Sequence, residues 1–148
     1  MTFHKITELS QIQYIHDRLY EYNLRKTGAE KKEIILTDTP PRYGWYVSCG
    51  DDGDISGGLV YQLYDNGDMY VDFLWVDDSL RGQGAGTKLL DLAKAKALEL
   101  NRRAITLYTA AFQAPEFYRN YGFVLTRREN DSFFYRMELD GAGTSGGR

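Results

Sequence analysis

Ile12, Ile15, Leu19 and Tyr22 recur three to four residues apart, and the polar residues between them leave a single apolar stripe, which predicts a helix over about residues 11–25. Ser10 with Gln13 three positions on reads as its capping box, Leu9 and Tyr14 as a flanking staple, and Gly28 as its stop. From Gly28 to Tyr43 charges mix with Pro40-Pro41, the pattern of a long loop with a short piece of structure around Glu33–Leu36. Beyond Gly44 the period drops to two. Trp45, Val47 and Cys49 alternate, a turn follows at Asp51-Asp52-Gly53, and Asn66-Gly67 joins the run Ile55–Tyr64 to Met69, Val71, Phe73 and Trp75. Asn-Gly between alternating runs is a strong hairpin signal, because both residues accept the positive φ of the tight turn. Leu89, Ala93, Ala97 and Leu100 return to helical spacing, predicting a helix from Thr87 to about Asn101. A strand at Ala104–Thr109, a short helix at Pro115–Tyr121, and strands at Phe123–Arg128 and Phe133–Leu139 complete the order.

Hairpins first and a strand-helix-strand crossover later imply an α/β (α+β) domain: one twisted mixed sheet of six to seven strands with helices on both faces, filling residues 1–139. Residues 140–148, Gly-rich and without large apolar side chains, are expected to be disordered. At 148 residues the chain is long enough to bury a core without staples, and its single cysteine, Cys49, allows no internal disulfide, which suits a reducing, cytoplasmic setting. Cys49 reads as packing within a strand. The first residues lack an apolar leader and no run approaches the length of a membrane span. Net charge is −3 and basic residues occur in scattered pairs, so nucleic-acid binding is not expected, whereas a cationic amine would be tolerated. His4 and His16 have no Cys or carboxylate neighbours at ligand spacing, so no metal site is expected, and His16 is assigned to the flank of the first helix's apolar stripe.

The chemistry concentrates in Arg81-Gly82-Gln83-Gly84-Ala85-Gly86, between the strand run Tyr70–Val76 and a helix. Glycines let main-chain N–H groups converge, and the following helix start adds partial positive charge, so the turn suits a pyrophosphate. A dinucleotide GxGxxG would need a small residue at Thr87, and a P-loop would need Gly-Lys-Ser/Thr at its end; neither is present. Arg81-x-x-Gly84-x-Gly86 instead resembles the acyl-CoA signature of the GCN5-related N-acetyltransferase (GNAT) superfamily. Phe112-Gln113-Ala114-Pro115-Glu116-Phe117-Tyr118-Arg119-Asn120-Tyr121-Gly122-Phe123 resembles that family's second CoA-contacting segment, in the manner of small bacterial members with a Phe-Gln-Ala-Pro stretch. The likeness runs over roughly Phe3 to Leu139.

This resemblance implies a GNAT-like domain in which acetyl-CoA enters where two parallel central strands, Tyr70–Val76 and Ala104–Thr109, splay apart. Backbone of Leu74, Trp75 and Val76 would pair with the pantetheine, and N–H groups of Gly82, Gln83, Gly84, Ala85, Gly86 and Thr87 would take the pyrophosphate, with Arg81 bracing the turn. Gln113 would lie near the acyl group. The resemblance assigns Tyr118 the departing thiolate, and makes Asp72, on the strand before the loop, the first candidate base, although the family more often carries Glu there. The acceptor's second charge would fall to Tyr22 and Asn23 or to Glu33 and Asp38. The implied reaction is acetyl transfer from acetyl-CoA to a primary amine by direct attack in a ternary complex, with no metal. Two alternatives stay open: a CoA-binding regulatory or interaction module that has lost its chemistry, and a toxin-like acetyltransferase of aminoacyl-tRNA. A homodimer is also compatible with the resemblance.

Overall fold

The structure, a computed structural model, describes residues 1–50, 53–110 and 115–139. Its elements run β1 (Thr2–Lys5), α1 (Leu9–Thr27), β2 (Tyr43–Ser48), β3 (Ile55–Leu63), β4 (Asp68–Val76), a 3₁₀ turn at Asp78–Leu80, α2 (Ala85–Glu99), β5 (Ala104–Ala110), α3 (Pro115–Tyr121), β6 (Val124–Glu129) and β7 (Ser132–Glu138). The strands form a mixed sheet in the order β1-β2-β3-β4-β5-β7-β6. Expected and observed elements agree in order, with several departures. The 3₁₀ turn at Asp78–Leu80 was not expected, and α2 lies two residues ahead of the expected Thr87–Asn101. Strand β1 was not expected, because four residues beside a helix signal carry too little periodicity. Helix α1 begins two residues early: Gln11, not Gln13, closes its start, its Oε1 accepting from the N–H groups of Thr7 and Glu8 at 2.8 and 3.1 Å. The Ser10–Gln13 box is therefore wrong, and Gln13 has other work described below. No regular element forms around Glu33–Leu36.

Contacts group the chain into two compact units, Met1–Gln62 with Asp72–Asp91, and Leu63–Val71 with Leu92–Arg148. In the first, Ile12 and Ile15 of α1 cluster with Ile6 and Val60, with Phe73 and Trp75 of β4 packed alongside. Val47, Leu80 and Ala85 form a second cluster with Val76 and Cys49 against it. Since Trp75 and Val76 are adjacent in a strand, these clusters occupy opposite faces of β4. A glycine pair in β3 lets its neighbours close in: a Cβ at Gly58 would lie 2.3 Å from Ile15 Cδ1 of α1, and one at Gly57 2.9 Å from the Trp75 carbonyl oxygen of β4 and 3.0 Å from Cγ1 of Val47, its cross-strand partner in β2.

In the second unit β4 meets β5 in parallel register over Asp68↔Ala104, Met69↔Ile105 and Tyr70↔Thr106, and β5 continues antiparallel with β7. Buried Asp68 anchors this start of β4: its carboxylate accepts from Arg103 Nε at 3.1 Å and Arg136 Nη1 at 3.0 Å. Tyr118 of α3 packs edge-on to Phe123 and beside Tyr135, all three buried. Gly28, with φ of +71°, ends α1 as expected, taking the left-handed cap conformation that glycine adopts without a Cβ penalty.

Candidate active site

The glycine turn forms as the sequence implies. Asp77 caps the 3₁₀ turn, accepting from Ser79 N–H at 3.1 Å and Ser79 Oγ at 2.6 Å, so the chain leaves β4 in a fixed direction. Arg81 Nε donates to Asp78 Oδ1 at 2.8 Å, an exposed contact within the turn. Gly82 and Gly84 then take left-handed φ values of +79° and +77°, and a Cβ built at either would meet nothing within 4 Å. The main chain here borders open space. Helix α2 opens at Ala85, with Lys88 N–H donating to Gly84 O at 3.0 Å, so the N–H groups of Ala85, Gly86 and Thr87 belong to the helix's first turn and have no carbonyl one turn back. Gln83 N–H, in contrast, donates to Leu80 O at 3.2 Å, and its side chain to Ser79 O, so Gln83 shapes the turn from within.

Leu74, Trp75 and Val76 are half-buried at the end of β4. Asp72 is more constrained than the sequence suggested. Arg42 Nε donates to its Oδ2 at 3.0 Å, and Gln62 Nε2 lies 2.9 and 2.7 Å from its two oxygens. Burial raises its carboxyl above the ordinary 3.8, against the opposing pull of Gln62 and Arg42. Sequence reasoning missed this triad. Arg42 comes from the long loop, and the available signal was Gln62, a lone amide inside the apolar run Leu59–Leu63.

The direction of the shift has a measurable consequence. With the folded value above the unfolded one, the charged carboxylate costs folding energy at neutral pH, and that cost is relieved as pH falls from the folded value through 3.8. Wild type should therefore gain stability relative to Asp72→Asn across that window, read from urea midpoints of the two proteins; a difference that stays flat with pH would remove the shift.

Tyr118 is buried, and burial alone pushes its phenol well above the usual value. Of the four residues considered for the acceptor, Glu33 lines a groove of about 720 Å³ between α1 and the segment 31–35, while Asp38 lies exposed in the loop beyond it. Tyr22 and Asn23 sit half-buried on the last turns of α1, with Lys26 Nζ 5.5 Å from the centre of the Tyr22 ring. Gln113 and residues 140–148 lie outside the described residues. Among the described residues there is no group of three or more His, Cys, Asp or Glu placed to hold a metal, and no helix long and apolar enough to cross a membrane. His16 does flank the apolar stripe of α1, yet it has a carboxylate neighbour after all: Asp17 Oδ1 is 3.0 Å from its Nδ1. Burial acts to raise the Asp17 carboxyl, but hydrogen bonds from His16 and Gln13 and the charges nearby outweigh it and hold it below the ordinary range.

A profile of the acetyltransferase (GNAT) family matches residues 4–123. The chain is 39% identical over 84 residues to a blasticidin-S acetyltransferase of Streptomyces morookaense, covering 56% of this chain and 60% of that protein. To the acetyltransferase Atu2258 of Agrobacterium fabrum strain C58 it is 32% identical over 110 residues, covering 74% of this chain and 72% of the relative. The fold superposes on the crystal structure of a GNAT-family acetyltransferase from Staphylococcus aureus Mu50 with a TM-score of 0.75 at 20% identity, over 93% of this chain and 99% of that one.

Proposed function

The chain belongs to the acetyltransferase (GNAT) family, and from that premise we propose that it transfers an acetyl group from acetyl-CoA to a primary amine, by direct attack in a ternary complex. The observation that carries this reading is the turn Arg81–Thr87, where two left-handed glycines face open space and a helix start offers main-chain N–H groups. Such a start binds the diphosphate of CoA without dedicated lysines. Leu74, Trp75 and Val76 would pair with the pantetheine amides, in the place of a strand partner: the β4–β5 ladder covers three positions, and β4 continues to Val76. Cys49 fills apolar space beside Val47, Leu80 and Ala85, which supports direct attack over an acyl-enzyme.

An amine arrives as an ammonium with a reference pKa of about 10.4, so its deprotonation at neutral pH costs roughly 4–5 kcal/mol unless a base assists. Asp72 helps little in that role, since Arg42 and Gln62 occupy its oxygens. We assign it the support of β4. That same engagement favours a second reading, a CoA-binding module without turnover, and the two differ in one measurement. Calorimetry should detect acetyl-CoA binding under either; thiol release with a panel of blasticidin S, spermidine and a lysine-bearing peptide should occur only if the protein is an active transferase. Absence of acetyl-CoA binding would overturn both.

Two glycines with matched backbones isolate the cradle. Gly28 and Gly84 share nearly the same φ, +71° and +77°, and both have open surroundings. Alanine at either should cost about 1 kcal/mol of stability, the penalty of a Cβ in left-handed backbone. Only Gly84→Ala should weaken acetyl-CoA binding, by about tenfold, the equivalent of about 1.4 kcal/mol. Equal affinities in the two variants would move the diphosphate away from this turn.

A further inference from the structure

The second unit carries a set of rings that no step of the transfer uses. Along β5, Ile105, Leu107 and Thr109 are buried, whereas Tyr108 between them is 57% exposed. Antiparallel pairs such as β5–β7 commonly pack one face and keep the other polar. Here the outward face bears a row of rings. Tyr64, just past β3, stacks on Tyr70 of β4 with centroids 5.1 Å and planes 11° apart, and Tyr70 stacks on Tyr108 at 6.5 Å and 27°. Tyr108 meets its register partner on β7, Phe134, at 5.7 Å and 32°. The guanidinium of Arg127, opposite Phe134 on β6, closes the row 4.0 Å from the centre of that ring. All five residues belong to the second unit. The other face of β7 is covered, with Tyr135 buried beside Tyr118 of α3.

We propose that this row is the contact face of a symmetric dimer, in which a second copy packs against it face to face about a two-fold axis through Tyr108. The inference is independent of the acetyl-transfer reading. It commits to a second copy because the row is self-complementary. Two members lie on each side of Tyr108 at similar steps, 5.7 and 4.0 Å toward Arg127 and 6.5 and 5.1 Å toward Tyr64. Half a turn about Tyr108 therefore brings Arg127 of each copy to the partner's Tyr64, and Phe134 to the partner's Tyr70. Glu129 accepts from Arg127 Nε at 2.9 Å, along the edge of the guanidinium, and Phe134 covers one of its planar faces. The side chain is still 60% exposed, so the second planar face can take a tyrosine ring in cation–π contact. The other guanidinium groups around the row are engaged within the unit: Arg103 and Arg136 with Asp68, Arg102 with the carbonyls of Tyr64 and Asp68, and Arg128 with Phe133. Edge-to-edge pairing through the outer strand β6 is opposed by a register shift between Leu125 and Arg127 and by the charges of Arg127, Arg128 and Glu129, devices that keep sheet edges apart. Single-stranded nucleic acid would need open ring faces for its bases, whereas these rings lie against one another.

Sedimentation equilibrium over about 1–200 µM should show the 17.0 kDa chain in reversible exchange with a species of twice that mass, since a dimer's population follows protomer concentration. Tyr108→Glu sets two carboxylates against each other at the axis and should abolish that species, while near-UV circular dichroism checks that the fold survives. Arg127→Gln should raise the dissociation constant about tenfold, because the symmetry removes the cation–π contact twice. Ile35→Glu alters an apolar side chain of the first unit that is 72% exposed, and should leave the equilibrium unchanged. A cross-link tests the axis without relying on the Tyr108→Glu fold. In a Cys49→Ser background, Tyr108→Cys should give a covalent dimer on mild oxidation at the top of the concentration range. A chain that stays monomeric throughout, a dimer that survives Tyr108→Glu, no cross-link through position 108, or an equal loss in Ile35→Glu would each overturn the proposal. So would a larger species that contains nucleic acid and dissociates on nuclease treatment.

Discussion

Tyr118→Phe is expected to lower turnover about 100-fold while acetyl-CoA affinity stays within about twofold of wild type. The reasoning begins with packing. Phe117, Phe123 and Tyr135 surround the Tyr118 ring, at centroid distances of 5.2, 5.9 and 6.1 Å, and phenylalanine keeps every one of those contacts. Only the hydroxyl is lost. For an unshifted phenol, handing a proton to a thiolate whose conjugate acid titrates near 8.5 would be uphill by about 2 kcal/mol. Burial raises this phenol further, which makes full proton transfer steeper and a strong O–H···S hydrogen bond to the departing thiolate the more economical role. Such a bond forms only as negative charge develops on sulfur, so its loss falls on kcat and spares binding. Stopped-flow thiol release together with calorimetry reads both quantities. Unchanged turnover would take Tyr118 out of the mechanism.

The largest loss of stability is expected at Gly44→Ala, about 3 kcal/mol or more, enough to remove much of the 5–15 kcal/mol typical of a domain. Gly44 lies in β2 opposite Val60, and its carbonyl accepts from Ile6 N–H at 2.8 Å. A Cβ there would stand 1.9 Å from the Leu59 carbonyl oxygen, a backbone atom that cannot retreat without opening the β2–β3 ladder. Gly58→Ala provides the comparison. Its worst clash, 2.3 Å, is with the tip of Ile15, which can rotate, so the cost should be smaller, about 1–2 kcal/mol. Urea unfolding of the two variants checks the order; a Gly44→Ala protein no less stable than Gly58→Ala would mean that β2 and β3 tolerate far more separation than their close approach implies.

Where periodicity was strong, the chain alone was enough. The stripe Ile12, Ile15, Leu19 and the alternation on either side of Asn66-Gly67 placed α1 and the β3–β4 hairpin, because each element must bury one face and these spacings allow only one. The glycine turn was equally readable, since both the tight backbone and the helix start are local properties. Shorter signals misled. Two overlapping sets of capping residues, Glu8–Gln11 and Ser10–Gln13, lie on one stretch, and Gln13 turned out to bond Ile34 and Leu36 across the long loop. A side chain with a distant partner carries no local mark.

The candidate site divides in the same way. That the chain makes a glycine turn into a helix at Arg81–Thr87 and folds as a mixed sheet of the GNAT type followed from residue order, because turns, caps and periodic faces depend on neighbours a few positions apart. That Asp72 is gripped by Arg42 and Gln62, thirty and ten residues away, and that the ring of His16 rests between Tyr20 and Phe73, was decided by tertiary structure. Electrostatic environment is a sum over neighbours in space, and the protonation behaviour of a carboxylate such as Asp72 is set there.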